Sequence, residues 1–152
     1  MTFLRSILSD HLPDNLHAGG DGVSASLLAV LSDDESLRLQ AILSNDSSLA
    51  QQFVRSLMGS EYVLESCCRN PDLLFHWLLT DVPYAALSAA RIVEMAELSC
   101  CDCETVDALD KALRQLRRRL MVGVIWRDLN RLSDFAEVCQ SMTAMAEAAI
   151  QQ

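Results

Sequence analysis

The sequence predicts an all-α domain, a multi-helix bundle of about six to eight helices whose long helices lie in the C-terminal half. Leucine (25) and alanine (17) are abundant among the 152 residues, whereas valine and isoleucine together number only 15. Leucine and alanine are strong helix formers. Glycine and proline together number only eight, too few turn residues for many short strands. The composition therefore excludes a β-sandwich or barrel, a collagen-like chain and a disordered polyelectrolyte.

The N-terminal part of the chain is predicted to form helices joined by polar turns. The glycine-rich residues 18–22 indicate a flexible boundary after a first helix. Ser32 and Glu35 have the spacing of a capping box, which predicts that a helix begins there. Ser48 is expected to start the next helix, and Gly59 to end it in a left-handed conformation.

The middle of the chain carries three further helix-start patterns. Ser60 is placed to cap a helix that runs to about Arg69. Asn70 and Pro71 predict the next start, because proline in the first turn loses no hydrogen bond. Residues 81–83 repeat this pattern with an aspartate and a proline. Helices should therefore begin near 60, 71 and 83.

The last 69 residues contain no proline and one glycine, which predicts three long helices. We place them near 83–98, 103–131 and 134–150, the last capped by Ser133. The second has the clearest period, because its apolar residues recur every three or four positions and form one stripe. These residues are Val106, Leu109, Leu113, Leu116, Leu120 and Val124.

Charge is unevenly distributed along the chain. The net charge is -9, with five basic and seventeen acidic side chains in residues 1–110. Residues 111–131 reverse this balance with seven basic side chains and one acidic one. An acidic protein repels phosphates, so we expect no nucleic-acid partner. The basic segment remains a candidate interaction surface.

The sequence also indicates a cytoplasmic protein without a membrane partner. No apolar run approaches the roughly 20 residues that span a bilayer. The first eight residues lack the apolar core and cleavage site of a secretory signal. The six cysteines are therefore expected to be reduced thiols.

Motifs for chemistry are sparse. Residues 100–103 read Cys-Cys-Asp-Cys, and the only other nearby group is the adjacent pair Cys67 and Cys68, so the second spaced cysteine pair or histidine pair typical of zinc sites is missing. We favour the interpretation that the cysteines pack as small apolar residues. A metal-binding protein is the weakest of the three functions that we consider. The sequence also lacks the motifs of serine hydrolases, zinc proteases and phosphate-binding loops. We predict no catalytic, cofactor-binding or metal-ligating residue.

The basic segment contains four arginines within six positions: Arg114, Arg117, Arg118 and Arg119. Because successive helical residues are about 100° apart, these side chains cannot share one face. We favour a solvated helix side paired with acidic neighbours, with one arginine joining helices through a partly buried ion pair. Recognition of a partner or a phosphate is the alternative, since arginine binds both carboxylates and phosphates.

Two stretches resemble a known family. Residues 114–129, RQLRRRLMVGVIWRDL, look like a helix of the bacterial bifunctional glutamine synthetase adenylyltransferase/adenylyl-removing enzymes. The upstream residues 60–63 and 69–74 are similar to an earlier segment of that family. The resemblance divides the chain into divergent N-terminal helices, 1–59, and a region, 60–152, like the N-terminal part of the adenylyl-removing half. The stretch 114–129 contains the candidate structural or interaction residues, which are Arg114, Arg117, Arg118, Arg119, Trp126, Arg127 and Asp128.

The resemblance implies a nucleotidyltransferase for the whole enzyme. In that family two domains use Mg²⁺ held by a Ser-Asp-x-Asp motif, one to transfer AMP from ATP to a tyrosine of glutamine synthetase and the other to remove it by phosphorolysis. Glutamine synthetase, the PII signal protein and a downstream nucleotidyltransferase domain are the implied partners. This sequence has no Asp-x-Asp, so we expect a helical part that precedes the first catalytic motif and is inactive alone. The alternative is a free-standing interaction module that uses the basic helix at 111–131.

Overall fold

The computed structural model describes residues 3–79 and 85–151. Within these ranges the chain contains nine α-helices, one short 3-10 helix at Asp14–Leu16 and no strand, so the all-α prediction is confirmed and the helices outnumber the expected six to eight. The α-helices are α1 Phe3–His11, α2 His17–Leu28, α3 Asp33–Asn45, α4 Ser47–Gly59, α5 Glu61–Arg69, α6 Pro71–Leu79, α7 Ala89–Cys100, α8 Val106–Leu129 and α9 Phe135–Ile150.

The chain forms two compact units, Met1–Thr80 and Asp81–Gln152. In the first unit α1 packs against α2 and α4, and α5 packs against α2, α4 and α6. Fully buried side chains from these helices and α3 form its core. They include Leu4, Leu27, Leu39, Phe53, Val54, Val63 and Leu74.

The glycine-rich residues 18–22 lie inside α2, so the predicted flexible boundary is wrong. Gly20 explains the difference, because a Cβ atom at this position would lie 2.9 Å from Cδ1 of Leu12 and 3.6 Å from Cβ of Leu8. The first of these distances is shorter than normal carbon–carbon contact. Glycine therefore permits the Leu12 side chain to approach α2 closely at this point.

Side-chain caps begin several helices where the sequence indicated. The Ser32–Glu35 capping box forms, with the Glu35 amide donating to Ser32 Oγ at 3.3 Å and the Ser32 amide donating to Glu35 Oε2 at 2.8 Å. Ser60 accepts a hydrogen bond from the Val63 amide at 3.3 Å, as predicted. These bonds satisfy amides that have no partner in the first helical turn.

The predicted limits of α4 are wrong at both ends. The helix begins at Ser47 because the Asp46 carboxylate accepts from the Leu49 amide at 2.9 Å, which replaces the expected cap at Ser48. Gly59 is the last helical residue, and no glycine in the described ranges has a positive φ. Ser60 ends α4 in an extended conformation instead and caps α5 at the same time.

The second unit confirms three long C-terminal helices, with α7, α8 and α9 packed against one another in pairs. Residues 85–88 are not helical, and α7 begins at Ala89 because Ser88 Oγ accepts from the Arg91 amide. The expected start at 81–83 lies outside the described residues. None of the helices in the described ranges is long and apolar enough to cross a membrane.

The turn between α8 and α9 ends the long helix earlier than the predicted residue 131. Arg131 has a φ of 58°, the left-handed conformation that usually favours glycine. The Leu132 amide donates to the Arg127 carbonyl at 2.8 Å, and the Arg131 amide donates to the Asp128 carbonyl at 3.0 Å. This bonding pattern is a Schellman motif. Asp134, not the predicted Ser133, then caps α9.

Candidate functional site

The helix α8 carries all seven candidate residues, and its two halves have different surroundings. Its predicted apolar stripe is buried at Leu116, Leu120 and Val124 but is 81 % exposed at Val106. From Leu120 to the end, the helix packs into the core of the second unit. The predicted candidates are therefore divided between a buried end and an exposed end.

Trp126 belongs to the buried end. Its side chain is 2 % exposed, within the core of the second unit. Its backbone carbonyl accepts a hydrogen bond from the side-chain amide of Asn130 at 2.9 Å, which helps to end the helix. Trp126 therefore has a structural role in the second unit.

Arg127 is a buried charge, 4 % exposed, with several partners. Its Nε donates to Glu137 Oε1 at 2.7 Å, and its Nη2 donates to Glu137 Oε2 at 3.2 Å. Nη2 also donates to the Leu132 carbonyl at 2.6 Å. This bidentate contact joins α8 to α9, which confirms that one arginine of the segment ties helices together. Asp128 is exposed beside it.

The other arginines lie near the surface of α8. Arg114 is exposed and forms an ion pair with Asp110 one turn earlier. Arg117 is also exposed and has no ion-pair partner in the part of the chain that the structure describes. Arg118 is partly buried. Arg119 is partly buried too, and burial together with the nearby Arg91 guanidinium lowers the pKa of its own guanidinium.

A groove lies between α8 and α9, with Ile92 of α7 contributing to its lining. Its volume is about 370 Å³ and most of its lining is apolar. Arg114 and Arg117 also line it, so two guanidinium groups border an apolar surface. Three methionines line the groove: Met121, Met142 and Met145. Sequence reasoning missed this site, although the spacing of Met142 and Met145 among alanines was a visible signal.

Three of the six cysteines have thiols with a raised pKa. Cys67 is 2 % exposed, and burial raises the pKa of its thiol to about 12. Burial is also the main cause that raises the pKa of Cys68 and of Cys100. Thiols with raised pKa values are poor nucleophiles and poor metal ligands. Across residues 3–79 and 85–151, no three His, Cys, Asp or Glu side chains are grouped to hold a metal ion.

Comparison with known proteins identifies the family. Residues 50–152 match the family described as glutamate-ammonia ligase adenylyltransferase. The chain belongs to this family. The match begins ten residues before the resemblance noted from the sequence, and it includes all of the second unit's helices.

Individual relatives are bifunctional glutamine synthetase adenylyltransferase/adenylyl-removing enzymes. The enzyme of Pseudomonas syringae pv. tomato is 32% identical over 98 residues, which cover 64% of this chain and 10% of the relative. The enzyme of Burkholderia mallei is 40% identical over 100 residues, which cover 64% of this chain and 11% of the relative. The chain thus spans about a tenth of the length of these relatives. No solved structure matches it significantly.

Proposed function

We propose that this chain serves the AMP-based regulation of glutamine synthetase as a helical, non-catalytic unit. The family match over residues 50–152 is the observation that carries this proposal. In this role the chain supports the nucleotidyltransferase domain that removes AMP from a glutamine synthetase tyrosine by phosphorolysis, in an enzyme whose second such domain transfers AMP to that tyrosine. The setting is the bacterial cytoplasm, and PII is a partner of the whole enzyme.

The side chains of the chain support the proposal that it does not transfer AMP by itself. In-line transfer of a nucleotidyl group needs carboxylates that hold Mg²⁺ between the attacking and leaving oxygens. The sequence contains no Asp-x-Asp pair at which such ions could bind. The Glu137 carboxylate is already paired with the buried Arg127 in an internal ion pair. ATP and Mg²⁺ would therefore bind to the nucleotidyltransferase domain and not to these residues.

A second candidate function is that of an interaction module that uses the basic segment 111–131. The exposed Arg117 and the groove beside it favour this candidate, because they present charge and apolar surface that the fold does not use. The two functions are compatible, since a supporting unit can also bind a partner.

The first test is an assay for AMP transfer. The purified chain is incubated with glutamine synthetase, Mg²⁺ and ATP labelled in its α-phosphate, and the full-length Burkholderia mallei relative serves as the positive control. We expect label on glutamine synthetase only with the relative. For AMP removal, the chain and the relative are compared in the same way, with adenylylated glutamine synthetase and phosphate as the substrates. Turnover by the chain alone in either direction would contradict the proposal.

A chimaera tests the supporting role. Residues 50–152 of this chain replace the matched segment of the Burkholderia mallei enzyme. We expect AMP removal from adenylylated glutamine synthetase within about tenfold of the parent enzyme, because the segment supplies packing and not chemistry. A folded chimaera without measurable AMP removal would show that this segment does not provide what the adenylyl-removing domain needs.

A further inference from the structure

The groove between α8 and α9 has the dimensions of a helix-binding site. Along α8 its lining runs from Leu113 to Met121, and along α9 it runs from Met142 to Ala149. Eight residues of helix extend about 12 Å, which is slightly more than two turns. An apolar face of two turns presents side chains at positions i, i+4 and i+7, the spacing with which amphipathic helices fill such grooves.

The lining chemistry suits side chains from a partner protein. Methionine adapts its shape to apolar side chains and is frequent at surfaces that bind helices. Met142 is 42 % exposed in the groove, and small alanines of α9 leave room beside it. A helix bearing leucine or a similar side chain would replace water at this surface.

Charge decides which helix the groove accepts. Arg114 and Arg117 line the groove, and Arg117 has no ion-pair partner in the described part of the chain. They belong to the one basic segment of a chain whose net charge is -9. Arg114 is already paired with Asp110, so a carboxylate of an incoming helix would pair with the Arg117 guanidinium, whereas a lysine would be repelled.

We propose that the groove binds an amphipathic helix of a partner protein, with apolar side chains at i, i+4 and i+7 and glutamates beside them. The inference goes beyond the proposed function, and it depends on the groove and its arginines alone.

A designed peptide tests the groove directly with the full chain. The probe is a fluorescent helical peptide of about 18 residues, long enough to hold a helix, with leucines at i, i+4 and i+7 and flanking glutamates. Its control replaces every glutamate with lysine. By fluorescence anisotropy we expect the acidic peptide to bind at least about tenfold more tightly, with affinity falling as salt rises. Equal binding of both peptides would contradict the charge selection.

Matched variants locate the binding surface. Ala146→Trp fills the groove from an exposed position, and Ala136→Trp adds the same side chain to α9 outside it. Arg117→Glu reverses a charge in the groove, and Lys111→Glu makes the same change on α8 outside it. We expect the groove variants to weaken peptide binding on the order of tenfold and the controls less than about twofold.

The outcomes separate the partner helix from other occupants. Circular dichroism shows whether each variant is folded. If Ala146→Trp unfolds, Arg117→Glu still tests the groove, because Arg117 is an exposed side chain. Failure of the acidic peptide to bind would overturn the proposal. Sedimentation that shows a dimer abolished by Ala146→Trp would overturn it in favour of a second copy of the chain.

Discussion

Arginine has different surroundings in the two halves of α8. In the C-terminal half, Arg127 is 4 % exposed and forms a bidentate contact with Glu137. In the N-terminal half, Arg117 is exposed and borders an apolar groove. Desolvation of a charge is costly, so the buried arginine requires its carboxylate, whereas the exposed one keeps its water at little cost. Arginine content alone therefore does not indicate a binding surface.

Within the family-like stretch 114–129, residues with structural contacts are separate from residues that are open to a partner. Trp126 and Arg127 lie in the interior, where their contacts are made by this chain. Arg114 and Arg117 lie outside, where a partner could reach them. Changes in the buried half should thus alter the free energy of unfolding, and changes in the exposed half should alter binding.

The largest expected effect comes from Trp126→Ala. Deleting a buried indole leaves a cavity, and such changes typically cost about 3–5 kcal/mol in the free energy of unfolding. Urea denaturation followed by circular dichroism measures the change. Val106→Ala, at the exposed start of the same stripe, is the control and should cost less than about 0.5 kcal/mol. Equal effects of the two substitutions would contradict the division of α8 into two halves.

A smaller effect is expected from Glu137→Gln, which leaves the Arg127 charge buried without its carboxylate. Removing one partner of a fully buried pair costs about 3–5 kcal/mol, and the Glu137 side chain is 25% exposed, so we expect about 2 kcal/mol. Glu147→Gln, an exposed change on the same helix, is the control and should have almost no effect. If Arg127→Met combined with Glu137→Leu is as unstable as Glu137→Gln, the unpaired charge is not the cause.

The smallest effect is expected from Arg131→Gly, and it has the opposite sign. Arg131 holds a φ of 58° in the turn after α8, a conformation that costs a residue with a Cβ atom about 1 kcal/mol. Glycine removes this cost, so the melting temperature should rise by a few degrees. A lower melting temperature would mean that the arginine side chain stabilises the turn by more than the strain costs.

Much of the fold could be predicted from local sequence signals. The Ser32–Glu35 box and the Ser60 cap use residues three apart, and both form as expected. The apolar period of α8 correctly predicted the longest helix. These features depend on neighbours within one or two turns, which a sequence displays directly.

The incorrect predictions concern contacts between elements. Gly20 lies within a helix with the Leu12 side chain against it, and no local signal in the sequence indicates that neighbour. Arg131 ends α8 in a conformation usually reserved for glycine. The ion pair of Arg127 could be expected for some arginine of the segment, but its partner lies on another helix, ten residues later. The groove likewise exists only once α9 lies against α8.

One buried hydrogen bond bears on the order in which the chain folds. The Ser141 hydroxyl donates to the Leu87 carbonyl at 3.1 Å, across 54 residues of sequence. During synthesis the segment before α7 must therefore wait for almost the whole of the second unit to leave the ribosome. The first unit, whose helices mostly pack against near neighbours in sequence, can form earlier, because short-range contacts close fastest. Until α9 emerges, the apolar faces of α7 and α8 stay open to water and to chaperones.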